Sequence, residues 1–192
     1  MIKNIVNLGD AAIYCDFGEE VTKDVNSKVI KYFRTLKNKN LKGVTNLAPS
    51  YNKLIITFDL NETTFIELKN NILNLKLDDE TKNESSKISI PICCDKEYSL
   101  DIDRLEEKLN KSIMLDRLET PRVKVPKGSV GLTEQFCNIY TFESPGGWNI
   151  IGNTPIKIFN SLSLSKPNLI NPGDEVSFYE INKKEYLKVY NE

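Results

Sequence analysis

The spacing of apolar and polar positions changes near residue 20. Residues 11–17 (AAIYCDF) alternate loosely and end at Gly18, which predicts a strand followed by a turn. From Thr22 onward the apolar residues fall at helical spacing, and Asp24 lies in the first turn, where an acidic group favours the helix dipole. The apolar face consists of Val25, Val29, Tyr32, Phe33 and Leu36. We therefore expect a helix that packs one face on a sheet.

A pair of strands and a second helix follow Gly43. Residues 44–50 (VTNLAPS) form a short segment, and residues 53–59 (KLIITFD) have the β-branched and aromatic side chains typical of a strand. Thr64, with Glu67 three positions later, has the form of a capping box that begins a helix. The apolar stripe of that helix is Phe65, Leu68, Ile72 and Leu75. The predicted order is strand, helix, strand, strand, helix.

A polar stretch separates these elements from a further strand. Residues 78–87 (DDETKNESSK) predict an exposed loop or linker. In the following KISIPICC, the isoleucines at 88, 90 and 92 alternate, and Pro91 confines the strand to an edge or to a position whose N–H group faces away from a neighbour. A final strand here would complete a ferredoxin-like sandwich. We therefore predict a ferredoxin-like α+β domain over residues 1–95.

The rest of the chain changes character at Thr120. Before it, residues 101–110 (DIDRLEEKLN) place Ile102, Leu105 and Leu109 on one helical face, which predicts a short helical connector over residues 96–118. After it come short β-prone runs separated by Pro, Gly and Asn, including the turn signal NPGDE at 171–175. This pattern predicts an all-β, barrel-like domain over residues 119–192. The fold class of the whole chain is α+β.

Charge and targeting signals remove several classes of partner. The chain has 26 basic and 27 acidic side chains, and no basic cluster stands apart from acidic residues, so we expect no nucleic-acid partner. No apolar run is long enough to cross a bilayer, and the first residues lack a signal-peptide pattern. We therefore expect a cytoplasmic protein without a membrane partner.

The chain contains no histidine, which excludes catalysis by an imidazole of this chain. Its four cysteines show no CxxC spacing, so we expect no metal site and interpret them as free thiols in a reducing compartment. Any acid or base chemistry would fall to Asp, Glu, Lys or Tyr, to backbone dipoles, or to another subunit. The catalytic residues cannot be named from these features.

The segment SPGGWNIIGNTP, residues 144–155, concentrates glycine and the one tryptophan of the chain. One interpretation is a barrel turn in which Gly146 and Gly147 supply positive φ and Trp148 fills the core. The other is a surface at which the glycines let a ligand or subunit approach the backbone. Both interpretations remain open at the level of sequence.

Three basic side chains, at positions 122, 124 and 127, are either ordinary surface charges or groups that bind an anion. Arg122 and Lys124 lie at alternate positions of one strand, either as a solvated face or as a charge clamp for phosphate or carboxylate. Lys127, beside Gly128, could also reach an anion. We further expect Tyr140 in the core with its hydroxyl at a cleft edge, and Cys137 as an inert thiol.

Taken together, these motifs resemble a known family. The runs PRVKVPKGSVG, NIY, SPGGWNIIGNTPIKIFN and PNLINPGDEVSFYEI resemble the motifs PR..VP.G.VG, IYP, SPGGW.LIG.TP..LFD and P.LL.PGD.V.F.P in that order. Those motifs are typical of the family of the 5-oxoprolinase B subunit, also called allophanate hydrolase subunit 1 or the Kip-inhibitor family, which carries a carboxyltransferase domain. This chain resembles that family. LGDAAIYCDFGE resembles its opening motif, so the resemblance covers most of the chain.

The resemblance implies a fold, an activity and partners. The fold would be a ferredoxin-like N-terminal part and a cyclophilin-like β-barrel. The activity would be ATP-dependent opening of 5-oxoproline to glutamate, in complex with a homologous C subunit and a third subunit, with ATP and Mg²⁺ shared with the partner. The alternatives are a regulatory module of the Kip-inhibitor type, which docks on a histidine kinase without catalysis, and a scaffolding paralogue.

The resemblance also selects candidate residues for binding a ligand or a partner. They are Arg122, Gly128, Tyr140, Ser144, Pro145, Gly146, Gly147, Trp148, Gly152 and Thr154.

Two departures from the family pattern bear on activity. Members carry a segment close to GF.PGF.YL before the PR motif, whereas here LNKSIMLDRLET leads directly to PRVKVP, so the barrel is expected to be shortened. Members also have Gln, Thr and Gly where this chain has Phe136, Cys137 and Asn138. The loss of hydrogen-bonding groups would weaken discrimination at a site built around them. These departures favour the alternatives without catalysis.

Overall fold

The computed structural model describes residues 1–77, 85–104 and 115–190. The chain forms two compact units, Met1–Ser85 and Ser86–Glu192. Most of the polar stretch 78–87 lies outside the described residues, and so do Leu105 and Leu109 of the expected connector helix. No helix among the described residues is both long enough and apolar enough to cross a membrane.

The first unit is one antiparallel sheet with two helices. The strands stand in the order β1-β2-β4-β3. The elements are β1 (Asn4–Asn7), β2 (Ala12–Asp16), α1 (Lys23–Lys39), β3 (Val44–Pro49), β4 (Lys53–Phe58) and α2 (Phe65–Leu73). The predicted order from β2 to α2 is confirmed, and β1 is an additional strand.

Both helices begin at the residues that the sequence indicates. Thr22 caps α1 by accepting a hydrogen bond from the backbone N–H of Val25. Thr64 and Glu67 form the predicted capping box, in which each side chain satisfies a backbone N–H group of the other residue. At its other end α1 stops at Asn40, whose left-handed φ of 44° breaks the helix.

The core of the first unit lies between the sheet and its helices. Alternate residues of β2 and β4 point to one face, where they meet one face of each helix. The fully buried members of this core cluster are Ile5, Ile13, Cys15, Phe17, Val29, Leu36, Leu54, Ile56, Phe58, Leu68 and Ile72. A single cluster that contains residues of α1 and α2 places both helices on the same face of the sheet.

The expectation that KISIPICC completes this first sheet is wrong. The place beside β2 is occupied by β1, which pairs with β2 from Asn4 to Asn7. β5 (Lys87–Cys93) instead pairs in parallel with β11 (Glu175–Ile181) over seven positions and meets β10 (Asn149–Asn153) at Cys93. β5 is therefore an interior strand of the second unit. Pro91 is tolerated because β10 reaches β5 only at Cys93.

The second unit contains a five-stranded sheet, a two-stranded ladder and a helix. The sheet has the order β11-β5-β10-β7-β8, and β6 pairs only with β9. The further elements are β6 (Arg122–Val125), β7 (Ser129–Thr133), β8 (Phe136–Ile139), β9 (Ser144–Gly146), β10 (Asn149–Asn153) and α3 (Lys183–Tyr190). Both units are thus mixed in α and β structure.

The described strands of the second unit do not close into a barrel. β11 and β8 are the two edges of the sheet, and no pairing among the described residues joins them. A closed barrel needs a continuous ladder, but here β6 and β9 form a separate ladder of their own. The barrel-like expectation is therefore corrected to an open sheet with a small ladder.

Candidate functional site

The segment 144–154 joins the two-stranded ladder to the five-stranded sheet of the second unit. β9 pairs with β6, which places Gly146 opposite Arg122. Three residues later β10 begins and pairs with β7, with a bulge at Ile151 between the matched positions Ile150 and Gly152. The sequence-predicted residues Arg122, Ser144 and Gly146 are thus brought together at one ladder.

A carboxylate that the sequence analysis did not select holds this junction. Asp101 accepts a hydrogen bond from Nη2 of Arg122 at 2.7 Å on one oxygen and from the backbone N–H of Ile150 at 2.7 Å on the other. Its own backbone N–H donates to the carbonyl of Ile150 at 3.0 Å. The Asp101 side chain is only 8% exposed. A buried carboxylate needs such partners, and here they fix β10 to β6.

Arg122 therefore has an internal partner. Besides Asp101, its guanidinium has a longer contact of 3.5 Å with the carbonyl oxygen of Trp148. Lys124 is also paired, with Glu143 at 3.1 Å on the exposed surface. Both cations of the predicted charge clamp are thus paired within the chain, and their binding of an external anion stays a prediction.

Gly146 is required by packing and not by its backbone conformation. A Cβ atom there would clash with the hydroxyl oxygen of Tyr140 and would lie 2.8 Å from its Cζ. The prediction of positive φ at Gly146 and Gly147 is wrong, because neither has φ in the left-handed region. Tyr140 is buried together with Val125 and Ile150, as expected for a core residue.

Gly128 does have a left-handed backbone, with φ of 82°. Its N–H donates to the carbonyl of Tyr140 at 2.7 Å, and its own carbonyl accepts from Thr154 at 2.9 Å. A side chain would also strike the carbonyl of Thr154 and Oδ1 of Asn153. Gly152 is equally confined, since its Cβ would lie 2.6 Å from Ile92. Gly128, Gly152 and the buried Thr154 therefore serve the packing of the five-stranded sheet.

Gly147 is the exception among the glycines of the segment. A Cβ there would lie at an ordinary distance of 3.5 Å from Pro121 and 3.7 Å from the carbonyl oxygen of Leu118. Its φ is not left-handed. Neither close packing nor backbone strain therefore explains this glycine, and its backbone is accessible to a group larger than a hydrogen atom.

Trp148 is half-buried and does not fill the core as the first interpretation expected. The guanidinium of Arg117, which is exposed, lies over the indole ring at 5.9 Å, within the range of a cation–π contact. The segment around Arg117 is tied to the site, because the N–H of Leu118 donates to the carbonyl of Gly147 at 2.8 Å. In addition, the amide of Asn149 donates to the carbonyl of Asp116 at 3.0 Å.

Asn153 ties the end of β10 to α3 and to the loop before β7. Its Nδ2 donates to the carbonyl of Lys127 at 2.9 Å and makes a longer contact of 3.4 Å with the hydroxyl of Ser129. Its Oδ1 accepts from the hydroxyl of Tyr186 at 2.9 Å. Burial raises the pKa of Tyr186 to about 12, so this hydroxyl stays protonated and donates at neutral pH.

Three further residues that the sequence analysis singled out are Ser144, Pro145 and Cys137. Ser144 is half-buried and Pro145 is exposed at the start of the segment. Cys137 is exposed as a residue, but partial desolvation of its sulfur raises the pKa of the thiol, which agrees with the expected inert thiol. Within the described ranges, no group of three or more His, Cys, Asp or Glu side chains converges as a metal site.

The chain has relatives among known proteins. The sequence matches the family described as carboxyltransferase domain, subdomain C and D, over residues 3–113 and 106–170. The chain belongs to this family. As a carboxyltransferase-domain protein it is 24% identical to the 5-oxoprolinase B subunit of Bacillus subtilis (strain 168), over 95% of this chain and 94% of that protein. That alignment spans 227 positions, more than the 192 residues of this chain, so it contains positions at which this chain has no residue.

A shorter stretch with a higher percentage of identical residues links the protein to the 5-oxoprolinase B subunit of Haemophilus influenzae. The identity is 41% over 70 residues, which are 36% of this chain and 32% of that protein. Among solved structures, TTHA0988 has a TM-score of 0.75 at 21% identity, over 90% of this chain and 40% of that chain. The urea amidolyase of K. lactis has a TM-score of 0.71 at 16% identity, over 97% of this chain and 15% of that chain. These two likenesses show the fold alone.

Four residues of this carboxyltransferase-domain protein are functional candidates that the sequence did not reveal. They are Asp101, Arg117, Asn153 and Tyr186. Asp101 is the first residue of an amphipathic segment whose charges suggested a solvated face, so no sequence signal marked it as buried. Asn153 lies inside the resembling motif itself and could have been selected from the motif.

Proposed function

We propose that this chain is the B subunit of an ATP-dependent 5-oxoprolinase and that it acts only with partner subunits. The assembly would convert 5-oxoproline, ATP and water to glutamate, ADP and phosphate. The observation that supports this most is the similarity to the Bacillus subtilis 5-oxoprolinase B subunit over 94% of the length of that protein. Membership of the carboxyltransferase-domain family is consistent with it.

The site geometry supports a role in binding and positioning. Gly146 of β9 pairs with Arg122 of β6, and Asp101 holds Ile150 of β10, so the segment between β9 and β10 is fixed from both sides. At its centre, Gly147 leaves room at the backbone, and Trp148 presents a half-exposed ring. A fixed and partly open surface of this kind suits the orientation of a ligand or a subunit, because little order must be imposed on binding.

The anionic groups of 5-oxoproline and ATP need cations. Arg117 and Lys127 are exposed, lie beside this segment in the fold, and have no carboxylate partner among the residues that the structure describes. We propose them as the cations that meet a carboxylate or a phosphate, with the partner subunit supplying the remaining groups. Without histidine, proton transfer within this chain would rest on Asp, Glu, Lys or Tyr.

A second candidate function is a regulatory or scaffolding role of the Kip-inhibitor type, with a histidine kinase or another protein as partner. The observation that favours it is the state of the predicted charge clamp. Arg122 is paired with Asp101 and Lys124 with Glu143, so both cations already have a partner within the chain. The substitutions at Phe136, Cys137 and Asn138 point in the same direction.

Co-expression with the homologous C subunit distinguishes the two functions. We expect co-purification and ATP hydrolysis that depends on 5-oxoproline. Gly147→Leu should abolish most of this activity while the thermal midpoint changes by no more than about 2 °C, because a Cβ atom at this position meets only ordinary contacts. Leu60→Ala, at an exposed residue of the first unit, is the matched control and should stay active. Co-purification without any activity would reject the catalytic role and leave the scaffolding role.

A further inference from the structure

An ordered hairpin projects from the second unit after β10. Residues 158–169 fold back on themselves, with a bridge between Phe159 and Asn168. The N–H of Leu169 donates to the carbonyl of Ile158 at 2.9 Å, and the N–H of Asn160 donates to the carbonyl of Pro167 at 2.7 Å. The backbone of this hairpin therefore has a definite conformation over its stem.

The tip of the hairpin is also held by hydrogen bonds. The N–H of Ser163 donates to the carbonyl of Asn160 at 3.1 Å, and the N–H of Leu162 donates to the Oδ1 of Asn160 at 3.3 Å. Asn160 thus forms the turn that presents the next residues, as Asn side chains commonly do. The backbone of Leu162 and Ser163 is thereby held at the tip.

Those leucines lie almost completely in solvent. Leu162 is 85% exposed and Leu164 is 97% exposed, and Phe159 and Leu169 of the stem are exposed as well. Single exposed leucines are ordinary on protein surfaces. Four exposed apolar side chains lie on one twelve-residue hairpin, a local density of exposed apolar residues that favours a binding site for another protein.

The charges around the hairpin specify the kind of surface that it fits. Between residues 155 and 170 the only charged side chains are Lys157 and Lys166, and no Asp or Glu is present. Within this stretch of sequence, the apolar residues are accompanied by positive charge alone. A complementary surface has an apolar groove for the leucines and carboxylates near its rim.

We propose that Leu162 and Leu164 dock into an apolar, carboxylate-rimmed groove of the partner subunit. This inference rests on the proposed function, because that function requires a partner. The hairpin begins four residues after Thr154, so it is continuous with the strand that carries the candidate site. Docking of the hairpin would thereby hold the partner next to the segment 144–154.

The test is the affinity of the purified C subunit for this chain and for the double variant Leu162→Ser/Leu164→Ser. We expect the Kd to rise by about 100-fold, since two apolar side chains lose their buried contacts. The thermal midpoint of the free chain should not change, because both side chains are exposed in it. The matched control is Leu60→Ser/Ile66→Ser in the first unit, which should bind like the wild type.

A charge variant tests the second feature of the proposal. Lys166→Glu should weaken binding at low salt by about 5-fold, and the difference should shrink at 1 M salt because screening removes it. Equal affinity of wild type, the double-serine variant and Lys166→Glu for the C subunit would overturn the docking proposal and leave the proposed function intact. Absence of any binding by the wild type would overturn the proposed function itself.

The double-serine variant also tests two other binding partners of the hairpin, a membrane surface and a second copy of this chain. Vesicles of phosphatidylcholine and phosphatidylserine in a 3:1 ratio (about 25% anionic lipid, enough to attract basic segments) should not bind the wild type. Binding that the double-serine variant loses would overturn the proposal in favour of a membrane surface. Concentration-dependent dimerisation that the same variant loses would overturn it in favour of a second copy of this chain.

Discussion

At the scale of single residues, the decisive group is a buried carboxylate that holds two strands. Asp101 uses both oxygens, one for Arg122 and one for the backbone of Ile150. Hydrogen bonds to a charged group are stronger than neutral ones, and an unpaired buried charge is costly. One side chain therefore joins Arg122 of β6 directly to Ile150 of β10.

Removal of the negative charge of Asp101 should destabilise the second unit. Asp101→Asn leaves the guanidinium of Arg122 without its counter-charge and places an amide where two donors need an acceptor. We expect the free energy of unfolding to fall by about 2 to 3 kcal/mol. Urea unfolding followed by the fluorescence of Trp148, the only tryptophan of the chain, measures this in the second unit.

The exposed ion pair of Lys124 and Glu143 is the control for this prediction. Its two side chains are 70% and 51% exposed. Glu143→Gln should therefore cost less than about 0.5 kcal/mol. Equal losses for Asp101→Asn and Glu143→Gln would show that burial of Asp101 does not determine its contribution.

The glycines illustrate how one residue type serves different purposes. Gly128 is required for a left-handed φ, and Gly146 is required because the ring of Tyr140 lies against it. Gly147 meets neither requirement. Adjacent glycines thus have different reasons for being glycine, and Gly147 is the one that neither packing nor backbone conformation explains, as the proposed binding role requires.

At the scale of elements, the short helix α3 is attached to the sheet through aromatic and polar contacts. Tyr186 is its only buried residue; its ring packs on Tyr98 with centroids 4.5 Å apart, and its hydroxyl donates to Asn153. An eight-residue helix is not stable alone in water. The contacts of Tyr186 therefore keep α3 in place and help fix the end of β10.

The free energy of unfolding should depend on pH through the hydroxyl of Tyr186. The pKa of Tyr186 is raised from 10.0 to about 12 by burial, so the folded state holds the proton more tightly than the unfolded state. The stabilisation is complete below pH 10 and is lost as the pH rises toward 12. We expect Tyr186→Phe to lower the free energy of unfolding by about 1 to 2 kcal/mol at pH 8, with a smaller difference at pH 11.

Urea unfolding of the wild type and of Tyr186→Phe between pH 8 and pH 11, followed by Trp148 fluorescence, measures this difference. Tyr98→Phe retains the ring contact with Tyr186 and the hydrogen bond of Tyr186, and serves as the control. A difference between wild type and Tyr186→Phe that grows with pH would contradict the assigned cause.

At the scale of the whole molecule, the chain is built from two units with separate cores. The large cluster around Ile13, Leu54 and Ile56 belongs to Met1–Ser85, and the cluster of Val125, Tyr140 and Ile150 belongs to Ser86–Glu192. The two clusters share no residue. Stability therefore has to be considered separately for each unit.

A core substitution in the first unit tests this organisation. Ile56→Ala removes a fully buried side chain and should destabilise that unit by about 3 kcal/mol. Far-UV circular dichroism should show an unfolding step at lower urea concentration, whereas the Trp148 midpoint should stay unchanged. Val130→Ala in the second unit is the reciprocal control and should lower the Trp148 midpoint. A Trp148 midpoint that falls equally in both variants would show a single cooperative transition.

The sequence by itself determined the local features of the fold. The caps at Thr22 and Thr64, the faces of α1 and α2 and the alternation in β2 and β4 depend on neighbouring residues, so they could be read directly from the chain. The order of motifs around SPGGW also identified the family. The buried position of Tyr140 followed from the same motifs.

The tertiary structure alone decided the pairings between distant residues. β5 has the same alternation whether it joins the first sheet or pairs with β11, and the choice depends on β1 having taken the place beside β2. Asp101 resembled a surface charge until its partners, 21 and 49 residues away, were located. Long-range pairing of this kind is a property of the whole fold, because neither partner carries a local signal of the other.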